Sequence, residues 1–294
     1  MIGALYRDDV LVSTEWLGYR LNDPGVRILD CRYYFDRDGR EEYEKGHIPG
    51  SVHVDHSKQL TDPEAEVESM IPPPAQVEAV MQSLGVNRST TVVGYDDEGG
   101  HFASRIWLIL ARYGAEGNFK ILDGGWTKWV QENRPVSTDI PQPEPGDFNM
   151  KGRIPNPGII ATLDDVRRAS EHAGERGSAT LLDVRRLSEF TGEEVRAKHG
   201  GRIPNAVHSF WQQNLNWDND RTFKEDAEIK NRPELGNVGK DDPVITYCQG
   251  GVRAANAALA LRMAGFRNVQ VYDGSWAEWG NRDDVPIVTG SDTD

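Results

Sequence analysis

The chain has 294 residues, 37% of them hydrophobic and 27% charged, enough for two domains with a core each. Lys and Arg number 33 against 47 Asp and Glu, a formal net charge of −14, which argues against nucleic-acid or anionic-membrane binding and leaves room only for a local cationic pocket. The longest apolar runs, 106–111 and 257–261, fall far short of the roughly 20 residues that span a bilayer, and the two cysteines, Cys31 and Cys248, fit neither a disulfide framework nor a zinc site.

The first residues lack the basic and apolar segments of a secretory signal, so cytoplasmic residence with free thiols is the expectation. Along the chain, the first conspicuous blocks are Ile28-Leu29-Asp30-Cys31-Arg32 and Gly46-His47-Ile48-Pro49-Gly50. Residues 90–95 are predicted as a buried strand and 102–113 as a helix, followed by the block Leu122-Asp123-Gly124-Gly125-Trp126. Residues 140–158 carry Pro141, Pro143, Pro145, Pro155 and Pro157 among glycines and read as a semi-stiff linker, with an ordered loop packed over both domains as the alternative.

Beyond the linker the same blocks return in the same order. Leu181-Leu182-Asp183-Val184-Arg185 answers the first, Gly201-Arg202-Ile203-Pro204-Asn205 the second, the strand 244–247 the third, and Tyr272-Asp273-Gly274-Ser275-Trp276 the last. The offsets stay at about 150 to 155 residues, which predicts two homologous domains, 1–139 and 159–294. A helix over 254–265, closed by Gly265, leads into a strand over 268–272. Alternation of strand and helix predicts α/β domains with a mainly parallel sheet flanked by helices, and ligands in such sheets sit beyond the carboxyl ends of the strands. Cys248 stands at such an end.

In Cys248-Gln249-Gly250-Gly251-Val252-Arg253 a thiol leaves a strand, two glycines let the loop curl, and an arginine opens a helix. Backbone N–H groups and a nearby cation favour the thiolate, the nucleophilic form. The first copy has Asp96 at the corresponding position, followed by the acidic loop Asp97-Glu98-Gly99-Gly100-His101, so one domain reads as catalytic and the other as inactive. Cys31 lies inside a strand block opposite Val184 of the other copy and reads as structural. His47, His53 and His208 read as turn residues, the repeated Trp126, Trp129, Trp276 and Trp279 as packing, and Asp30 and Asp183 as ties for loop backbone.

The ordered set of the Cys248 to Ala254 loop, the Gly-His-Ile-Pro-Gly block with its variant at 201–205, and Asp273-Gly274-Ser275-Trp276 resembles the rhodanese superfamily, specifically its two-domain sulfurtransferases. The resemblance implies tandem rhodanese-like domains, a double displacement through a Cys248 persulfide, and no cofactor or metal. It implies small-molecule partners: thiosulfate or 3-mercaptopyruvate as donor, and cyanide or a thiol as acceptor. Arg185 and Arg253 would bind the anionic donor, and Tyr33, His101 and Phe102 of the inactive copy would line the cleft. Two departures stand out: Arg253 replaces the family's Thr, and Leu187-Ser188-Glu189-Phe190 stands where mercaptopyruvate enzymes carry a second arginine. On those departures thiosulfate is the preferred donor. Cysteine phosphatases are the rival enzyme class, although four residues between Cys248 and Arg253 make a smaller ring than theirs. A persulfide carrier or redox partner module without turnover of its own is the non-enzymatic alternative.

Overall fold

The computed structural model describes residues 5–236 and 238–291, so the outermost residues of both expected domains lie outside it. In the first half, Leu11–Val12 (β1), Val26–Asp30 (β2), Val52–His53 (β3), Thr91–Tyr95 (β4) and Phe119–Leu122 (β5) form one sheet in the order β1-β5-β4-β2-β3. The second half repeats it with Ile160–Ala161 (β6), Thr180–Asp183 (β7), Val207–His208 (β8), Val244–Tyr247 (β9) and Val269–Tyr272 (β10), in the order β6-β10-β9-β7-β8. Every pairing between these strands is parallel, with Leu29 opposite Gly94 in one sheet and Leu182 opposite Thr246 in the other. Central strands covered on both faces must be apolar throughout, and β9 is buried along its whole length.

Each central strand feeds a twelve-residue helix, His101–Arg112 after β4 and Val252–Met263 after β9. Both begin earlier than their apolar patterns predict, because Gly100 and Gly251, in the left-handed region at φ 77° and 78°, serve as N-caps. The second helix ends as its sequence implies: Gly265 has φ 95°, its N–H donates to Arg262 O, and Phe266 N–H donates to Leu261 O, the paired bonds of a Schellman motif.

These two helices pack against each other and fuse the domains. One continuous apolar core takes in Phe102, Ala103 and Ile106 from the first helix and Ala254, Ala255 and Ala258 from the second, while two smaller cores lie on the outer faces of the sheets. The alanine-rich helix is buried on every side from Ala254 to Met263, with Asn256 and Arg262 set among its apolar residues. Polar contacts fix the docking. Arg105 pairs with Asp273, and Asn256 Nδ2 donates to Gly99 O at 3.2 Å.

The Pro-rich stretch 140–158 is an ordered strap and not a free tether. Gly146 N–H donates to Gln82 O and Phe148 N–H to Val86 O, Phe148 is buried, and Gln270 Nε2 of the second domain donates to Gly158 O. Prolines supply no N–H, so the strap is held by the amides between them. Among the described residues no helix is long and apolar enough to cross a membrane.

Candidate functional site

Cys248 follows directly on β9, and its loop is fastened from below by the Ser275–Trp279 helix. Cys248 N–H donates to Ser275 Oγ at 3.1 Å, and Ser275 Oγ donates to Tyr272 O at 2.7 Å. Trp276 N–H donates to Cys248 O, and Ala277 N–H to Gln249 O. Ser275 adopts φ 48°, a costly conformation for a residue with a Cβ, which the hydroxyl's two bonds help to hold. The Asp-Gly-Ser-Trp block is therefore the underside of the Cys248 loop.

Both loop glycines have a spatial reason. A Cβ on Gly250 would lie 3.2 Å from Ser69 of the other domain, and one on Gly251 would lie 2.9 Å from Arg105 and 3.0 Å from Asp273. Ala255 N–H makes the first bond within the helix, to Gly251 O, so the amides of Val252, Arg253 and Ala254 turn toward the loop, where they favour negative charge.

Cys248 is only 1% exposed, yet it borders a cavity of about 250 Å³ between the two domains. Gln249, Gly250, Val252 and Arg253 line it from the second domain, whereas Gly251 lies behind them as the cap. Gln249 turns its amide away, donating through Nε2 to Arg196 O at 3.0 Å. From the first domain come Tyr33, His101 and Phe102, joined by Phe35 and His56. Tyr33 meets Phe102 and His56 edge-on with centroids 5.5 and 5.0 Å apart, and His101 packs on Trp211 at 4.7 Å while its Nδ1 lies 3.0 Å from Glu98. Burial, reinforced by Arg105 and His101, pushes His56 down to about 3, so it is neutral there.

Arg185, expected to bind the donor, does not line the cavity. It is 1% exposed, its Nε lies 2.9 Å from Asp183 Oδ1, its Nη2 donates to Gly201 O at 2.7 Å, and its guanidinium lies 4.5 Å from the Trp276 ring. The first domain builds the same unit: Arg32 pairs with Asp30, donates to Gly46 O at 2.8 Å and lies 4.6 Å from Trp126. A unit present in both copies is part of the scaffold, and no donor in the cavity can reach a guanidinium so occupied.

The cations at the cavity are Arg186, Arg196 and Arg253. Arg253 is not a free charge: Nη1 and Nη2 grip Glu189 at 2.6 and 2.9 Å. Burial raises the Glu189 carboxyl, but Arg253 outweighs it and leaves the group at about 2. Burial likewise pulls the Arg253 guanidinium down, and Glu189 with the neighbouring Cys248 lifts it above its ordinary value. Arg186 is 65% exposed at the mouth, and Arg196 lies 3.6 Å from Glu189. Arg186 stands next to the Arg185 that the family position singled out, and the Asp183 pairing is what turns Arg185 away from the cavity and leaves Arg186 at it. Arg196 and His56 carry no local signal at all.

Cys31 is fully buried away from the cavity. Burial, together with Asp96 and Asp30, holds its thiol well above the usual range.

Comparison with protein families matches the rhodanese-like domain over residues 13–132 and 163–282. Among characterised relatives, the sulfur carrier protein TtuD of Thermus thermophilus is 33% identical, over 97% of this chain and 98% of its own. A thiosulfate sulfurtransferase of Corynebacterium glutamicum is 32% identical, over 96% and 91%. The crystal structure of SseA, a 3-mercaptopyruvate enzyme of Escherichia coli, is similar with a TM-score of 0.78 at 30% identity, covering 90% of this chain and 98% of that one.

Proposed function

The chain belongs to the rhodanese family and is a sulfurtransferase, and from that premise we propose that it moves the sulfane sulfur of thiosulfate to a thiophilic acceptor through a persulfide on Cys248. The observation that carries this reading is the placement of Cys248 at the floor of an interdomain cavity whose catalytic-domain side presents Arg186, Arg196 and Arg253. Thiosulfate is a dianion with three terminal oxygens, a match for guanidinium forks.

The Cys248 thiolate attacks the outer sulfur of the donor; a new S–S bond forms as the donor's own S–S bond breaks, and sulfite leaves with that bond's electron pair. The persulfide carries the negative charge the thiolate held, beside the same amides, so little reorganisation is needed. Cyanide or a thiolate then takes the outer sulfur, and the Cys248 thiolate is the leaving group. The aromatic wall of Tyr33, Phe102 and Trp211 excludes water from the persulfide.

A second donor keeps support. Arg196 supplies a cation at the cavity after all, and it could hold a carboxylate, as 3-mercaptopyruvate requires. The similarity to a sulfur carrier protein supports a third reading, in which the persulfide is handed to a partner. Intact mass after separate exposure to thiosulfate and to 3-mercaptopyruvate tests all three. A gain of one sulfur, about 32 Da, from thiosulfate, absent in Cys248→Ser and discharged by cyanide as thiocyanate, is the expected result. Gain from mercaptopyruvate alone would replace the donor, and a stable persulfide that cyanide does not turn over would favour the carrier.

A further inference from the structure

Glu189 is a buried acid beside a site that must hold anions; it caps its own helix through the Arg186 N–H, and the sulfur transfer itself makes no use of it. It is 1% exposed, lies on the short helix Leu187–Thr191 just after β7, and gathers the surrounding positive charge onto itself. Besides the two bonds from Arg253 it accepts the Arg186 N–H at 3.1 Å and has Arg196 at 3.6 Å. An acid just after β7 and an arginine on the loop helix are thus the two halves of one ion pair.

We propose that Glu189 is a positioning residue that pins Arg253 against the catalytic loop and at the same time restrains its charge, so that the two members of the pair act on Cys248 in opposite directions. Arg253 favours the thiolate and the incoming anion. Glu189 fixes the guanidinium in place and opposes both, because its carboxylate offsets part of the positive charge that Arg253 presents to the sulfur. Such restraint suits a residue that is nucleophile in one half-reaction and leaving group in the next: a thiolate stabilised too strongly attacks sluggishly, since thiol nucleophilicity falls with basicity.

The other charged groups around the pair do not cancel this effect. Arg185 lies beneath it and is committed to Asp183, Glu194 faces Arg186 at 3.8 Å, and across the cavity stand neutral His56, the Glu98 and His101 pair, and exposed Glu68. None of them touches Arg253. The proposal rests on Cys248 being the reactive group, but not on the identity of the donor.

The test is the pH dependence of Cys248 alkylation by iodoacetamide in the full-length protein, read by peptide mass so that Cys31 is scored separately. In Glu189→Gln the midpoint should fall by roughly half a unit to one unit, and in Arg253→Gln it should rise by a similar amount. Glu189→Asp, which keeps the charge, should stay within roughly 0.3 unit of wild type. With thiosulfate, KM should fall about threefold in Glu189→Gln and rise in Arg253→Gln. A purely structural clip is broken equally from either side, so midpoints moving the same way, or not at all, overturn the proposal. So does Glu189→Asp behaving like Glu189→Gln. Alkylation needs no sulfur donor, so these midpoints stand or fall separately from the choice of thiosulfate.

Discussion

The two domains carry the same loop with different occupants. In the first, Asp96 ends β4, and its carboxylate accepts four backbone N–H bonds: Glu98 and Gly100 at Oδ1, both at 2.9 Å, and Phe102 and Ala103 at Oδ2, at 2.7 and 3.1 Å. In the second, Cys248 ends β9 before a loop one residue shorter, capped by the same left-handed glycine. Trp126 N–H donates to Asp96 O as Trp276 N–H donates to Cys248 O. The first copy thus shows a strand end, a glycine turn and a helix N-terminus gathering four amides on one acceptor, and there that acceptor is its own side chain. In the other copy the same place goes to a thiol that opens on a cavity.

The largest effects should come from the scaffold shared by both copies. Arg32→Ala and Arg185→Ala each strand a fully buried aspartate, Asp30 or Asp183, and each should cost about 3–5 kcal/mol in urea unfolding. Arg186→Ala and Arg196→Ala should leave stability within about 1 kcal/mol while raising the donor KM roughly tenfold, with kcat little changed. If Arg185→Ala proves stable and raises KM selectively, the division between scaffold and cavity arginines is wrong.

This division also marks how far the sequence can be read. The duplication, the parallel sheets and the place of the Cys248 loop at a strand end are legible because each rests on a local pattern: apolar runs for buried strands, glycines where a Cβ cannot fit, a helix pattern directly after. Arg185 was misplaced because a motif position says which residue recurs and not which way it points. The Asp183 pairing turns it inward, and extended backbone sends its neighbour Arg186 the other way. The Glu189–Arg253 pair joins residues 64 apart, and Arg196 reaches the cavity from an irregular loop, so neither follows from local pattern. Likewise the Pro-rich strap was ambiguous from composition, because what holds it is its partners, Gln82 and Val86.

Placing a thiol in the first copy would sharpen the comparison. Asp96→Cys removes an acceptor of four amides, a sulfur being a much weaker one, and should cost roughly 2–4 kcal/mol. Asp96 is fully buried and does not line the cavity, so the new thiol should resist iodoacetamide and take up no sulfur from thiosulfate in the folded protein. Persulfide found at position 96 would mean that the loop alone suffices and that the cavity contributes nothing decisive.

The smallest effects should separate the two buried acids by pH. Glu189 is held at about 2, below its ordinary 4.5, so its ionised form favours the fold at pH values above 4.5, and that contribution is lost as pH falls toward 2. The stability gap between wild type and Glu189→Gln, on the order of 2 kcal/mol at pH 7, should therefore close in acid. Asp96 goes the other way. Burial lifts its carboxyl to about 6 against the pull of His101 and the amides, so its contribution is greatest below its ordinary 3.8 and is lost as pH rises through 6. Wild type should accordingly gain on Asp96→Asn as pH is lowered from 7 to 4, while its lead over Glu189→Gln holds steady from pH 7 to about 5 and shrinks below 4.5. Urea midpoints at pH 7, 4 and 3 read both trends, and parallel behaviour of the two variants would show that the copies do not treat their buried charge differently.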